Sequence, residues 1–204
     1  MRIGVVVFFL AVCLAGIGYV FWHQELQYAL PTPVPVNYTA VPVSGKIELS
    51  GILNTRPDTP VYMHFFNPDC PCSRFNSKHF LDLANRFKSD FQIFAVIPAY
   101  ADVARARAMI GEVITVIQDH DDQLASACGV YATPQAVVIG KDHQLFYRGN
   151  YNKSRYCTQP ETNYAEQALT ALVRGEPAPA FSPLATQAYG CELPSEEARS
   201  FFEF

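Results

Sequence analysis

A chain of 204 residues that is 50% hydrophobic and only 17% charged holds enough material for one ordinary core plus extensions. Its net charge of −4, with no basic run, gives no footing to nucleic acid as a partner. Six cysteines are many for a reducing cytosol at this length, and they point to an oxidising compartment or to a redox or metal role.

From Ile3 to Trp22 the chain carries no charge for roughly twenty residues, about the length that crosses a bilayer. Arg2 precedes the stretch, Trp22 ends it as an interfacial anchor and Glu25 follows, so the positive-inside rule exports everything after it. The competing reading is a cleaved signal peptide, but no small-x-small cleavage site stands out. Leu10-Ala11-Val12-Cys13 is a poor lipoprotein site because Val12 is large, which leaves Cys13 as an apolar residue of the span. The expected organisation is a membrane anchor over 1–22, a Pro-rich linker over 23–45, a domain over 46–175 and an extension over 176–204. Pro31, Pro33, Pro35 and Pro42 make the linker a stiff spacer that holds the domain away from the membrane.

Within the domain, Lys46 to Ser50 reads as a first short strand and Arg56 to Pro60 as a turn. Val61 to Phe66 is a buried strand, and the spacing of Phe80, Leu83, Ala84 and Phe87 predicts a helix after it. Phe91 to Ile97 is a strand apolar enough to be covered on both faces. Asp102 to Ile110 is a helix capped by Asp102 and stopped at Gly111. Val113 to Ile117 is a β-branched strand and Asp121 to Ala127 a short helix ending at Cys128-Gly129. Ala136 to Ile139 and Leu145 to Arg148 form strands joined by the turn Gly140 to His143. Glu161 to Val173 closes the domain as a helix with Tyr164, Ala168, Leu169 and Leu172 on one face. Strands alternating with helices give an α/β layer fold. The last residues, Phe201-Phe202-Glu203-Phe204, are apolar enough to dock on the domain.

The chemistry centres on Asn67-Pro68-Asp69-Cys70-Pro71-Cys72-Ser73-Arg74, where the first strand meets its helix. Proline disfavours α geometry in the residue before it and suits the first helical position, so Cys70 falls at the N-cap and Cys72 in the first turn. Unpaired amides and the positive end of the helix dipole favour a thiolate there, which makes Cys70 the candidate attacking sulfur, held open to an incoming partner. Residues two apart point to opposite sides of a regular helix, so a Cys70–Cys72 bridge closes only in a distorted turn and is easily reduced. Otherwise a distant thiol, Cys128, Cys157 or Cys191, resolves the exchange. A plain structural bridge between Cys157 and Cys191 is the default for an oxidising compartment, with Cys128 the odd thiol. His64 is read as packed or hydrogen-bonded in its strand, and His79 as a solvated helix position.

The strand that delivers a cysteine pair to a helix start, together with Val130-Tyr131-Ala132-Thr133-Pro134-Gln135 before the strand Ala136 to Ile139, resembles the thioredoxin-like superfamily over roughly Lys46 to Arg174. The chain departs from the usual pattern at Ser73, where the family has its second cysteine; here that thiol is Cys72. The resemblance implies a central mixed sheet flanked by helices, a cis bond before Pro134 facing Cys70, and Thr133 and Pro134 offering backbone groups to an extended substrate. Gln187 to Cys191 is similar to the tail cysteine of some thioredoxin-like redoxins. The resemblance implies a thiol–disulfide oxidoreductase with a Cys-x-Cys site, needing no organic cofactor and acting on partner-protein thiols and disulfides. The expected location is the bacterial inner membrane, single pass, with the domain in the periplasm.

Two alternatives stay open. Two soft thiolates suit Cu(I) binding or delivery, with His143 as a weak third ligand. A thiol peroxidase would need Thr or Ser three residues before its cysteine, where Asn67 stands for Cys70 and Asp69 for Cys72.

Overall fold

The computed structural model describes residues 2–26 and 29–193. Helix α1 (Arg2–Phe21) runs on through π-helical turns at Trp22–Leu26, and the stretch is long and apolar enough to cross a membrane.

Five strands form the main sheet: β1 (Val61–Phe65), β2 (Gln92–Pro98), β3 (Thr115–Asp119), β5 (Gln135–Ile139) and β6 (Leu145–Gly149), in the order β3-β2-β1-β5-β6. The first three are parallel, whereas β5 runs antiparallel to both β1 and β6. Alternation in β1 sends Tyr62 and His64 to one face and Val61, Met63 and Phe65 to the other. The first face is covered by α2 (Pro71–Phe87), α3 (Val103–Ile110) and α5 (Tyr164–Val173), through Phe80, Leu83, Ile110 and Leu169. The second is covered by α4 (Gln123–Cys128) with Ile47 and Leu49, so every residue of β1 is buried. This is a thioredoxin-like fold: a central mixed sheet flanked by helices.

Local chemistry sets several boundaries. Asp102 caps α3 by accepting from the amides of Ala104 and Arg105, and Gly111 ends it at a φ of +81°. The third strand begins two residues later than the β-branched run suggests, because Val113 is left almost fully exposed. Lys46 to Ser50 forms no strand: Lys46 makes one isolated bridge to Gln144, while Ile47 and Leu49 serve as a plug over the second face. The helix expected from Glu161 starts at Tyr164, with a 3₁₀ turn at Pro160–Thr162 before it.

Two segments expected to lie outside the domain pack onto it. In the Pro-rich stretch, Thr32 is buried, the Tyr38 hydroxyl donates to the Gly129 carbonyl at 2.9 Å and the Ser44 amide donates to Leu145 at 2.8 Å. In the extension, α6 (Pro183–Thr186) leads to a two-residue strand, β7 (Cys191–Glu192), which pairs with β4 (Ala132–Thr133). Ala185 and Ala188 are completely buried. The apolar end Phe201 to Phe204 lies outside the described residues.

Candidate functional site

Between β1 and α2 the chain turns tightly. The Asn67 side chain accepts from the Asp69 amide at 3.0 Å, and the Asn67 carbonyl accepts from the Cys70 amide at 3.0 Å. Ser73 Oγ closes the turn by accepting from the Asn67 amide at 3.1 Å. Cys70 then stands at the N-cap of α2 with extended backbone (φ −80°, ψ 125°), Pro71 follows, and no side chain caps the helix. The 17-residue helix therefore places its first-turn amides and positive end next to Cys70. Asn67 is committed to this turn and to Tyr100, to whose hydroxyl its Nδ2 donates at 3.2 Å. Asp69 forms an ion pair with Arg105.

Opposite this helix start lies Thr133-Pro134, joined by a cis peptide bond as the resemblance implies. The Cys70 sulfur is 3.9 Å from the Thr133 carbonyl oxygen. The partner of Cys70 is Cys191, 121 residues away in sequence, with a Cα–Cα distance of 6.2 Å. The Cys70–Cys72 bridge and the default Cys157–Cys191 bridge are thereby corrected, and of the distant thiols held open as partners of Cys70 it is Cys191 that bonds to it. The reason lies in the tail. Antiparallel pairing of β7 with β4 puts Cys191 directly across from Thr133, and the Leu193 amide extends the pairing to the Tyr131 carbonyl at 3.0 Å. Cys191 thus arrives beside the Cys70 sulfur, with which it bonds.

The tail is held there on both sides. Gly190 has φ +132°, and a Cβ on it would collide with the Thr133 carbonyl, so glycine is what allows this approach. On the far side Tyr189 bridges to Pro31, and the Thr32 amide donates to the Ala188 carbonyl at 2.9 Å. Upstream, Asn150 Nδ2 donates to the carbonyls of Leu184 and Gln187 at 2.9 and 2.6 Å, and the Tyr147 hydroxyl reaches the Ala185 carbonyl at 3.1 Å. With the tail across it, Cys70 is 2% exposed. The expectation of a sulfur open to partners is corrected for this form: β7 of the same chain lies beside Thr133, where the resemblance implies an incoming strand.

The remaining thiols have other surroundings. Cys72 is buried on a different side of the first turn from Cys70, and burial raises its pKa against a smaller opposing effect of Arg155. It lines a cavity of about 290 Å³ together with Asn76, Pro134, Arg155 and Cys157. Cys157 accepts from Asn76 Nδ2 at 3.3 Å and is pushed up to about 11 by burial. Cys128 is completely buried among Met63, Val137 and Leu145 and pushed up to about 12, so it is a core residue and not a reactive odd thiol. Arg155 pairs with Glu25 at 3.0 Å, linking the end of the N-terminal helical stretch to this loop.

His64 is completely buried, stacked on Phe66 and Phe80, with Nδ1 at 2.8 Å from the Tyr151 hydroxyl, which in turn accepts from Tyr62. His79 is only part-exposed, and burial lowers its pKa, which corrects the reading of a solvated position. His143 sits in the β5–β6 turn beside Lys46 and Leu49, remote from both cysteines of the bridge along the sheet. Among the described residues no group of three or more His, Cys, Asp or Glu is placed to hold a metal ion, so the third ligand the copper reading needs is not assembled. Sequence reasoning missed Gly190, Asn150 and Thr32. The one available signal was the glycine immediately before Cys191.

A family model described as "Domain of unknown function (DUF6436)" matches residues 46–192. The chain belongs to this family. The DUF6436 match begins at the plug segment and ends in β7, so it takes in both cysteines of the bridge. No curated protein matches the sequence. Among solved structures, an uncharacterized conserved protein from Geobacillus kaustophilus is 19% identical, with 81% of this chain and 98% of that one covered at a TM-score of 0.65. A hypothetical protein from Sinorhizobium meliloti is 15% identical, covering 68% and 80% at a TM-score of 0.58. These likenesses are of fold.

Proposed function

We propose that this DUF6436 protein is a thiol–disulfide oxidoreductase of the bacterial cell envelope, held to the inner membrane by α1 with its domain in the periplasm. Its working couple is Cys70 with Cys191. The observation that carries this reading is the bond between a sulfur at a helix N-cap and a cysteine on a strand laid beside a cis proline. The helix end favours the charged form of the Cys70 sulfur, and charge is what a thiol needs both to attack and to leave. Thr133 and Pro134 seat the strand that presents the second sulfur. In the oxidised state the couple accepts two electrons from a partner dithiol; in the reduced state it returns them to a partner disulfide. Cys72, two residues from Cys70 yet facing other neighbours, lies outside the couple.

The test uses full-length protein in mild detergent and a disulfide-bonded protein substrate. Cys70→Ser and Cys191→Ser should each abolish catalysed exchange, while Cys72→Ser retains the Cys70–Cys191 bond on mass-spectrometric mapping and most of the rate. Wild-type protein no faster than Cys70→Ser would overturn the reading.

A further inference from the structure

Resting on the oxidoreductase reading, we infer that the sulfur which meets the partner is Cys191, the tail cysteine, and that Cys70 is an internal store that never forms the partner-linked disulfide. Two observations converge on this assignment.

The first is access. Cys70 is 2% exposed, enclosed by its own turn, by Thr133 and by the tail, whereas Cys191 is part-exposed and followed by the exposed Glu192. Which sulfur of a disulfide is attacked depends on reach as much as on intrinsic reactivity. The second is the leaving group. Attack on Cys191 expels Cys70, which stands at the N-cap of α2 where the helix end receives its charge, while attack on Cys70 expels Cys191, which belongs to a two-residue strand and stands one bond farther from that helix end.

The exchange balances with a protein dithiol as co-reactant. One partner thiolate forms a bond to the Cys191 sulfur, the Cys70–Cys191 bond breaks, and Cys70 leaves as a thiolate. The second partner thiol then loses its proton to solvent and attacks the partner's own sulfur in the mixed disulfide. That closes the partner's disulfide and expels Cys191 as a thiolate, which takes up a proton. Two electrons have passed from the partner to the couple. No step in this exchange requires β7, paired to β4 while the bridge is closed, to leave its seat. The partner that fits is a dithiol presented on an accessible surface, able to reach the tail without inserting a strand beside Thr133.

Cysteamine, a small monothiol, serves as probe. Oxidised full-length protein is mixed with an excess, quenched in acid after short intervals, alkylated and mapped by mass spectrometry. The early adduct is expected on Cys191, with Cys70 alkylated, in at least tenfold excess over the reverse. An adduct mainly on Cys70, or an even division, overturns the assignment and leaves the oxidoreductase reading intact. Since Cys70 can reseal the bridge, a second measurement stands beside the first: cysteamine is preloaded on Cys191 in Cys70→Ser and on Cys70 in Cys191→Ser. External thiol should release it at least tenfold faster from the former, and equal or reversed rates again overturn the assignment. Failure of dithiothreitol to open the bridge in native protein would instead sink the oxidoreductase reading itself.

Discussion

A methyl group at position 190 would meet the Thr133 carbonyl, and a φ of +132° is one that side chains rarely adopt. Gly190→Ala should therefore displace β7 and weaken bridge closure about tenfold relative to glutathione, an effect of about 1.4 kcal/mol, read from redox equilibration with thiol trapping. His64 sets a second expectation. Burial holds it neutral and depresses its pKa to about 3, against about 6.5 in an unfolded chain. Below about pH 6.5 the unfolded chain takes up a proton that the folded one refuses, so this contribution is complete above that pH and lost as pH falls. The slope is at most about 1.4 kcal/mol per pH unit. His79, also lowered mainly by burial, acts in the same sense, and Asp119, raised mainly by burial, acts in the opposite sense nearer the carboxylate range. Thermal midpoints should fall from pH 7 to pH 5, and His64→Leu should flatten that slope even though it lowers the baseline. At this scale the sequence was legible where a residue's role is local: Cys70 at its N-cap and Asp102 under its helix follow from neighbouring residues alone. Gly190 was not, because its requirement is imposed by a carbonyl on another element.

Elements built on periodicity and turn chemistry were readable, and β1, α2 and β5 stand close to where apolar spacing put them. The tail was unreadable for a physical reason. Its two-residue strand has no hydrophobic alternation, and its seat is made by backbone groups of β4 and by side chains from β6 onward. The sequence left Cys191 as one of three distant candidates and did not single it out, since proximity between residues 121 apart depends on that seat. Asn150→Ala leaves the Leu184 and Gln187 carbonyls without their donor, at a cost of about 1–3 kcal/mol. Amide exchange across 184–193 should accelerate in this variant while α5 stays protected; uniform acceleration would show that the tail is no separate unit.

For the whole molecule, the bridge closes a loop of more than half the chain. Chain-entropy arguments assign such a loop about 4–5 kcal/mol, with strain and residual structure lowering the yield. Reduction of the full-length protein in detergent should lower its thermal midpoint by several degrees, and Cys191→Ser should be as unstable oxidised as reduced. The packing of Pro31 and Thr32 against the tail limits how far the domain can stand from α1. Only residues 27–30 separate the helical stretch ending at Leu26 from that anchor point, a lead of five steps that spans at most about 18 Å when drawn taut. The prolines downstream add nothing to this leash, since the chain is already fastened before it reaches them. On the proposed reading, in which α1 is seated in a bilayer, this leash keeps the Cys70–Cys191 bridge in a shallow zone above the lipid headgroups.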